Sequence, residues 1–409
     1  MKARNAPFLP GQKSFIPPPA SARPHDKRSC FAMIIRNGKI FTENAEFVAA
    51  DLEIENGRIA KVAPAGTLEG EGIDAAGKYV TPGFVDIHIH GAAGADFCDS
   101  VDGSEEYILA MSKYLGSQGV TSFMGTTMAF SEEILTNIFK TARPLFGKEG
   151  NGAVLRGVNM EGPFFNKAKK GAQAEEYIID PDKDMFDRLF EVSGGNIRLV
   201  DVAPELNGAE DFIAHASKKC VVSLAHTCAT YEEAKKGYAA GATHTTHLFN
   251  AMPAFTHRAP GVVGAASDDA AHVEMISDGI HLHPAVVRSV FSWFGKDRVC
   301  LISDSMRACG MPNGEYSLGG QKVIMKDGLA TLEDGTIAGS ATCLAECFRR
   351  AVSFGVPVEK ALKAATINPA QAVGLFDELG SITEGKRADV LVLDETLHPE
   401  HIFVGGVEL

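Results

Sequence analysis

The run Pro82-Gly83-Phe84-Val85-Asp86-Ile87-His88-Ile89-His90-Gly91 is apolar and strand-like until it ends in two histidines one residue apart, with glycine next. Side chains at i and i+2 of a strand share a face. His88 and His90 therefore point the same way at the strand's C-terminal tip, spaced to hold one metal ion. A lone His-x-His is weak evidence, because such a pair is often only a polar strand face. Three further apolar runs end the same way, in Met160-Glu161-Gly162-Pro163, Ala225-His226-Thr227 and Thr246-His247-Leu248. Each tip carries a residue type that binds zinc or iron. A fourth, Ile302-Ser303-Asp304-Ser305, adds a carboxylate. The set points to a metal-dependent hydrolase.

Working outward, apolar strand segments fall at 79–90, 119–126, 154–161, 197–204, 220–226, 243–248, 272–277 and 298–304. Helical patterns at 105–115, 132–142, 181–191 and 231–239 separate several of them. Eight strand–helix units predict an α/β fold, a (β/α)8 TIM barrel, whose active sites lie at the C-terminal strand ends. The candidate ligands fall at the ends of strands one, three, five, six and eight. Before the barrel, short strands alternate with the hairpin signals Asn37-Gly38 and Asn56-Gly57. After it come a hairpin insertion at 316–336 and helical sequence at 342–353 and 358–365. The tail Ala388-Asp389-Val390-Leu391-Val392-Leu393-Asp394 is strand-like again. The expected domains are thus a small β-sandwich from residues 33–78 and 376–409, and a catalytic barrel from 79–375. Residues 1–32, rich in proline and basic side chains with Asp26 as the one acid, read as a disordered leader.

The 409 residues are 45% hydrophobic and 22% charged, as in ordinary globular enzymes. A formal net charge of -13 argues against nucleic acid and anionic membrane as partners. No apolar run is long enough to span a membrane. The eight cysteines contain no Cys-x-x-Cys, and most sit in apolar runs. Free thiols in a reducing cytoplasm fit better than a disulfide framework.

On these motifs the chain resembles the N-acetylglucosamine-6-phosphate deacetylases of the amidohydrolase superfamily, from about Met33 to the C-terminus. His-x-His and Ser303-Asp304-Ser305 mark only the superfamily. The run His247-Leu248-Phe249-Asn250-Ala251-Met252-Pro253, with Arg258 following, is more specific. The resemblance implies that Glu161, His226 and His247 hold a main metal ion. His88 and His90, sharing Glu161, would hold a second. One or two divalent ions per chain, zinc or iron, would then be the cofactor. Asp304 would be the catalytic acid–base. Asn250, Ala251, Arg258 and His281 would contact a sugar phosphate, with Arg258 reaching across a homodimer interface. Ala172, Asp278, Ile337, Ala338 and Gly339 would line the substrate. One departure stands out: many relatives read Gly-Ala-His where this chain reads Gly171-Ala172-Gln173. An amide donates a hydrogen bond but carries no charge. Carbonyl activation would rest more on the metal, or the preferred sugar would differ.

Simpler readings exist for each residue. A histidine on a buried strand is ordinarily a satisfied core residue, Asp304 alone would read as a helix cap, and Arg258 alone as a solvated loop side chain. Only the resemblance lifts Arg258. His244, His257, His272 and His283 are read as supporting or surface residues. The rival functions are a deacetylase for the galactosamine epimer, a non-catalytic scaffold and a ureide-ring hydrolase. A scaffold should have lost ligands that this chain keeps. The ureide-ring enzymes expect a bridging lysine where Glu161 stands.

Overall fold

A computed structural model describes residues 32–269 and 271–409; the expected leader falls almost wholly outside them. Among the described residues, eight parallel strands form the barrel wall: Phe84–Ile89, Val120–Thr126, Val154–Met160, Ile197–Val202, Val221–Leu224, His244–Thr245, His272–Ile276 and Val299–Ile302. They pair in sequence order. The ring closes just past the tips of the first and last strands. There the Asp304 amide donates to the His88 carbonyl (2.9 Å), and the His90 and Gly91 amides donate to the Ser305 carbonyl (both 2.9 Å). Every residue of the first three barrel strands is buried. Such continuous burial explains why they read as unbroken apolar runs.

One expectation changes. The run 79–90, read as a single strand, is two. Tyr79–Pro82 pairs with the chain-end strands, and only Phe84–Ile89 enters the barrel. Gly83 is the switch between them. A Cβ there would lie 2.1 Å from Thr121 Oγ1, so only glycine allows the chain to cross onto the barrel at this point.

The second sheet, also eight-stranded among the described residues, joins both chain ends. Met33–Phe41 lies at its centre, and Val390–Leu393 pairs antiparallel with Tyr79–Pro82. It has its own core, with Ile35, Leu52, Val80, Val390 and Phe403 in contact. The hairpin insertion forms Gly314–Leu318, Gln321–Lys326 and Leu329–Thr331. Helices Glu132–Ala142, Leu344–Ser353 and Val358–Ala365 stand close to where the pattern put them. No helix among the described residues is long and apolar enough to cross a membrane.

Candidate metal centre

The predicted ligands meet in one place at the C-terminal mouth of the barrel. Glu161 Oε1 lies 3.2 Å from both His226 Nε2 and His247 Nε2, and these two nitrogens are 3.1 Å apart. On the other side, Glu161 Oε1 is 3.5 Å from His88 Nε2, and Oε2 is 3.4 Å from His90 Nε2. Asp304 Oδ1 faces the same pair, 3.3 Å from His90 Nε2 and 3.6 Å from His88 Nε2. Two ligand triads result, His88–His90–Glu161 and Glu161–His226–His247, sharing the one carboxylate.

Hydrogen bonding shows that this arrangement fits a cation. His226 Nδ1 is 2.8 Å from the Lys169 carbonyl, which only accepts, so that nitrogen carries the proton. In a neutral imidazole, Nε2 is then a bare lone pair aimed at a carboxylate oxygen. His88 repeats the pattern, with Nδ1 2.9 Å from Glu274 Oε2 and a buried Nε2 that has no hydrogen-bond partner. Facing lone pairs in a dry site repel unless a positive ion lies between them. Nδ1 groups tied to a carbonyl or carboxylate are the usual support of metal-binding histidines.

The acidities of these groups reflect the same close, mixed charge. Burial works against the His88 imidazolium, yet Glu274, Asp304 and Glu161 raise its pKa well above the usual 6.5. Burial likewise opposes ionisation of Glu161, but His88, His226 and His247 hold it well below the usual carboxylate range. Glu274 is drawn down to about 2 by His88 and His244 despite its burial. Deeper in the barrel burial dominates at Asp86, lifting it to about 7 against the hydrogen bonds from Ser303 and His88 and the charge of His88.

Three of these residues hold unusual backbones. His226, His247 and Asp304 adopt φ of 45°, 26° and 46°. Left-handed conformations are costly for residues other than glycine and cluster where structure serves function. Asn250 braces the turn after His247, its Nδ2 donating to the His247 and Leu248 carbonyls at 3.1 and 3.3 Å.

A cavity of about 220 Å³ opens over the centre. Asn250, Ala251 and His281 line one part of it, and Ala172, Ile337 and Gly339 another. Asp278 stands behind, with Oδ2 2.8 Å from His281 Nδ1 and Oδ1 taking the His281 amide at 2.9 Å. Ala338 is fully buried. Arg258 is exposed, does not line the cavity, and makes no hydrogen bond or ion pair among the described residues. Gln173 lines the cavity, yet both ends of its amide are taken: Nε2 donates to Glu161 Oε2 at 2.7 Å, and Oε1 accepts from the Ala129 amide at 2.7 Å.

Sequence reasoning missed Met128, Leu318 and Thr336, which complete the cavity, and Glu274 beneath it. Glu274 had one available signal, a charged residue inside the apolar strand His272-Val273-Glu274-Met275-Ile276.

Comparison with known proteins supports the same picture. The amidohydrolase family model matches residues 79–408. An N-acetylglucosamine-6-phosphate deacetylase from Bacillus subtilis (strain 168) is 35% identical over 371 residues, covering 88% of this chain and 93% of that protein. An N-acetylgalactosamine-6-phosphate deacetylase from Escherichia coli O157:H7 is 34% identical, covering 91% and 98%. Among solved structures, a mutant N-acetyl-D-glucosamine-6-phosphate deacetylase from Mycobacterium smegmatis, in complex with N-acetyl-D-glucosamine-6-phosphate, aligns with a TM-score of 0.85 at 31% identity, covering 92% of this chain and 99% of that one. The Pasteurella multocida deacetylase aligns at 0.87 with 28% identity, covering 93% and 100%.

Proposed function

The chain belongs to the amidohydrolase family, and we propose from this premise that it hydrolyses N-acetyl-D-glucosamine 6-phosphate to D-glucosamine 6-phosphate and acetate. The observation that carries the reading is the shared carboxylate: Glu161 Oε1 at 3.2 Å from both His226 Nε2 and His247 Nε2, beneath a cavity that also holds Asp304.

Glu161, His226 and His247 would hold one divalent ion, and His88 and His90, with Glu161, a second. Imidazole and carboxylate donors suit zinc or iron. Such an ion supplies a Lewis acid for the carbonyl and lowers the pKa of water from 15.7 to about 7. The remaining chemistry belongs to the chain. Asp304 takes the proton released as water adds to the acetamide carbon. It then delivers that proton to the nitrogen as the C–N bond breaks, so the amine leaves neutral. Gln173 holds Glu161 in orientation through its 2.7 Å bond. His281, fixed by Asp278, and the 250–251 turn would receive the phosphate and fix the acetamide over the centre.

We place Arg258 at the neighbouring subunit's phosphate in a homodimer. In support, it has no partner among the described residues of its own chain. It also lies three residues from Phe255, whose exposed ring packs 5.4 Å from that of the exposed Trp293. The same reading puts the protein in the cytoplasm, supported by the free thiols Cys98, Cys300, Cys309, Cys343 and Cys347, all buried.

The test is acetate release by metal-reconstituted protein on N-acetylglucosamine and N-acetylgalactosamine, each with and without the 6-phosphate. Preferential release from phosphorylated N-acetylglucosamine supports the proposal. Preference for the galactosamine epimer would favour the second reading, which the Escherichia coli relative's name raises. No release from any of the four would refute both.

A further inference from the structure

We propose that Glu274 is the positioning residue that fixes His88 as a ligand, and so decides whether the His88–His90 pocket holds its ion. The inference rests on the two-ion reading above. Glu274 lies on the seventh barrel strand, below the cavity, and is fully buried. A buried carboxylate persists only where donors compensate its lost hydration. Glu274 has three. Oε2 accepts from His88 Nδ1 at 2.9 Å and from the His247 backbone amide at 3.1 Å, and Oε1 lies 3.3 Å from His244 Nε2. Its own carbonyl takes the Leu248 amide at 2.9 Å.

An ionised carboxylate is acceptor-only. The His88 proton must therefore sit on Nδ1, which leaves the Nε2 lone pair facing Glu161 and Asp304, where the ion would lie. Nε2 itself makes no hydrogen bond, the nearest carboxylate oxygens, of Glu161 and Asp304, lying 3.5 and 3.6 Å away. The second triad depends on Glu274 far less. His226 Nδ1 is fixed by the Lys169 carbonyl, and Glu274 touches His247 only at its backbone. Replacement by leucine keeps much of the volume but removes both oxygens, whereas glutamine would keep a carbonyl oxygen able to turn toward His88 Nδ1 and the His247 amide. With no acceptor at Nδ1, the tautomer with the proton on Nε2 is favoured, directed at the Glu161 and Asp304 oxygens and into the position of the ion. The two ions should then part company.

The experiment titrates chelated, metal-free protein with zinc by equilibrium dialysis, reading ions bound per chain by mass spectrometry. Wild type should bind two. Glu274→Leu should keep one ion at the wild-type affinity and bind the other roughly 10–100-fold more weakly, the range for lost support of a ligand. A merely structural role would lower the melting temperature without separating the two affinities. If Glu274→Leu binds both ions as wild type does, the inference is overturned while the two-ion reading stands. If wild type saturates at one ion, both fall. Should the variant not fold, the unaltered protein decides. Histidine 15N spectra of the zinc-loaded enzyme, with His88 assigned from His88→Gln, should show the proton on Nδ1, and a proton on Nε2 would overturn the proposal.

Discussion

Asp304→Asn separates proton transfer from everything else Asp304 does. Its φ of 46° lies in the left-handed region, where asparagine is among the few residues tolerated. The exchange therefore keeps the backbone, and with it the bond from the Asp304 amide to the His88 carbonyl and the bond from the Ser340 amide to the Asp304 carbonyl. Alanine would instead add about 1–2 kcal/mol of backbone strain. What asparagine lacks is a basic oxygen. General acid–base catalysis is typically worth roughly 10²–10⁴-fold in rate, or about 2.7–5.5 kcal/mol at 1.36 kcal/mol per decade. Substrate binding should change little, because the proposed phosphate contacts, residues 250–251 and His281, are untouched. The assay is acetate release under saturating substrate, with metal content measured on the same sample. The metal count matters because Asp304 lies 3.3 Å from His90 Nε2, and a lost ion would mimic a lost base. A fall in kcat within this range at unchanged metal content and near-constant KM supports the assignment. A kcat within about threefold of wild type in metal-replete protein would remove Asp304 from the mechanism, since even the lower end of the expected range is roughly a hundredfold.

Gln173→Leu should weaken zinc binding about 10–100-fold by releasing the carboxylate that both triads share; equilibrium dialysis checks it, and unchanged affinity would show that Gln173 serves another purpose. The double change His88→Gln with His90→Asn should leave one ion per chain and some activity, read by metal analysis beside the acetate assay. Arg258→Ala should raise KM strongly for the phosphorylated sugar, since a hydrogen bond to a charged group contributes about 1.5–3 kcal/mol. Mixed with Asp304→Asn chains under verified subunit exchange, it should recover activity above the sum of the parents, and no recovery would exclude action across the interface. Asp51 is fully buried in the chain-end sheet, and its carboxylate accepts the Asn37, Thr67 and Leu68 amides at 2.8, 2.9 and 3.0 Å. Burial opposes its ionisation, but these amides carry its pKa below the usual 3.8. Its contribution to stability is therefore present above the unfolded-state value and lost as pH falls through the depressed one; melting curves from pH 3 to 7 should show a flatter acid dependence for Asp51→Asn.

How far the site could be read from sequence follows from where its information lies. A barrel puts its chemistry at strand ends, so His88, Glu161, His226, His247 and Asp304 announced themselves as polar residues closing apolar runs. The tips gave position in the chain, and the parallel order turned it into position in space. What stayed hidden depends on contacts across the barrel. Gly83 read as part of a strand, because nothing local says that Thr121 fills the space a side chain would need. The left-handed backbones at His226, His247 and Asp304 carry no signal in residue type. Gln173 looked like a lost histidine facing substrate, whereas its amide is spent on Glu161 and Ala129.

Glu274 shows the limit most clearly. A charged residue inside a buried strand violates the apolar pattern, and such violations are where function concentrates. Pattern alone says only that some partner must exist. Pairing with the last strand does not supply it, because the residue opposite Glu274 there is the apolar Cys300. Two partners, His244 and the His247 amide, come from the neighbouring sixth strand and its end, and the third, His88, from the first strand, which closure of the ring brings within 2.9 Å across 186 positions of sequence. The candidate metal site is thus legible one tip at a time, while the proton positions that suit it to a cation are set by residues that only the closed barrel brings together.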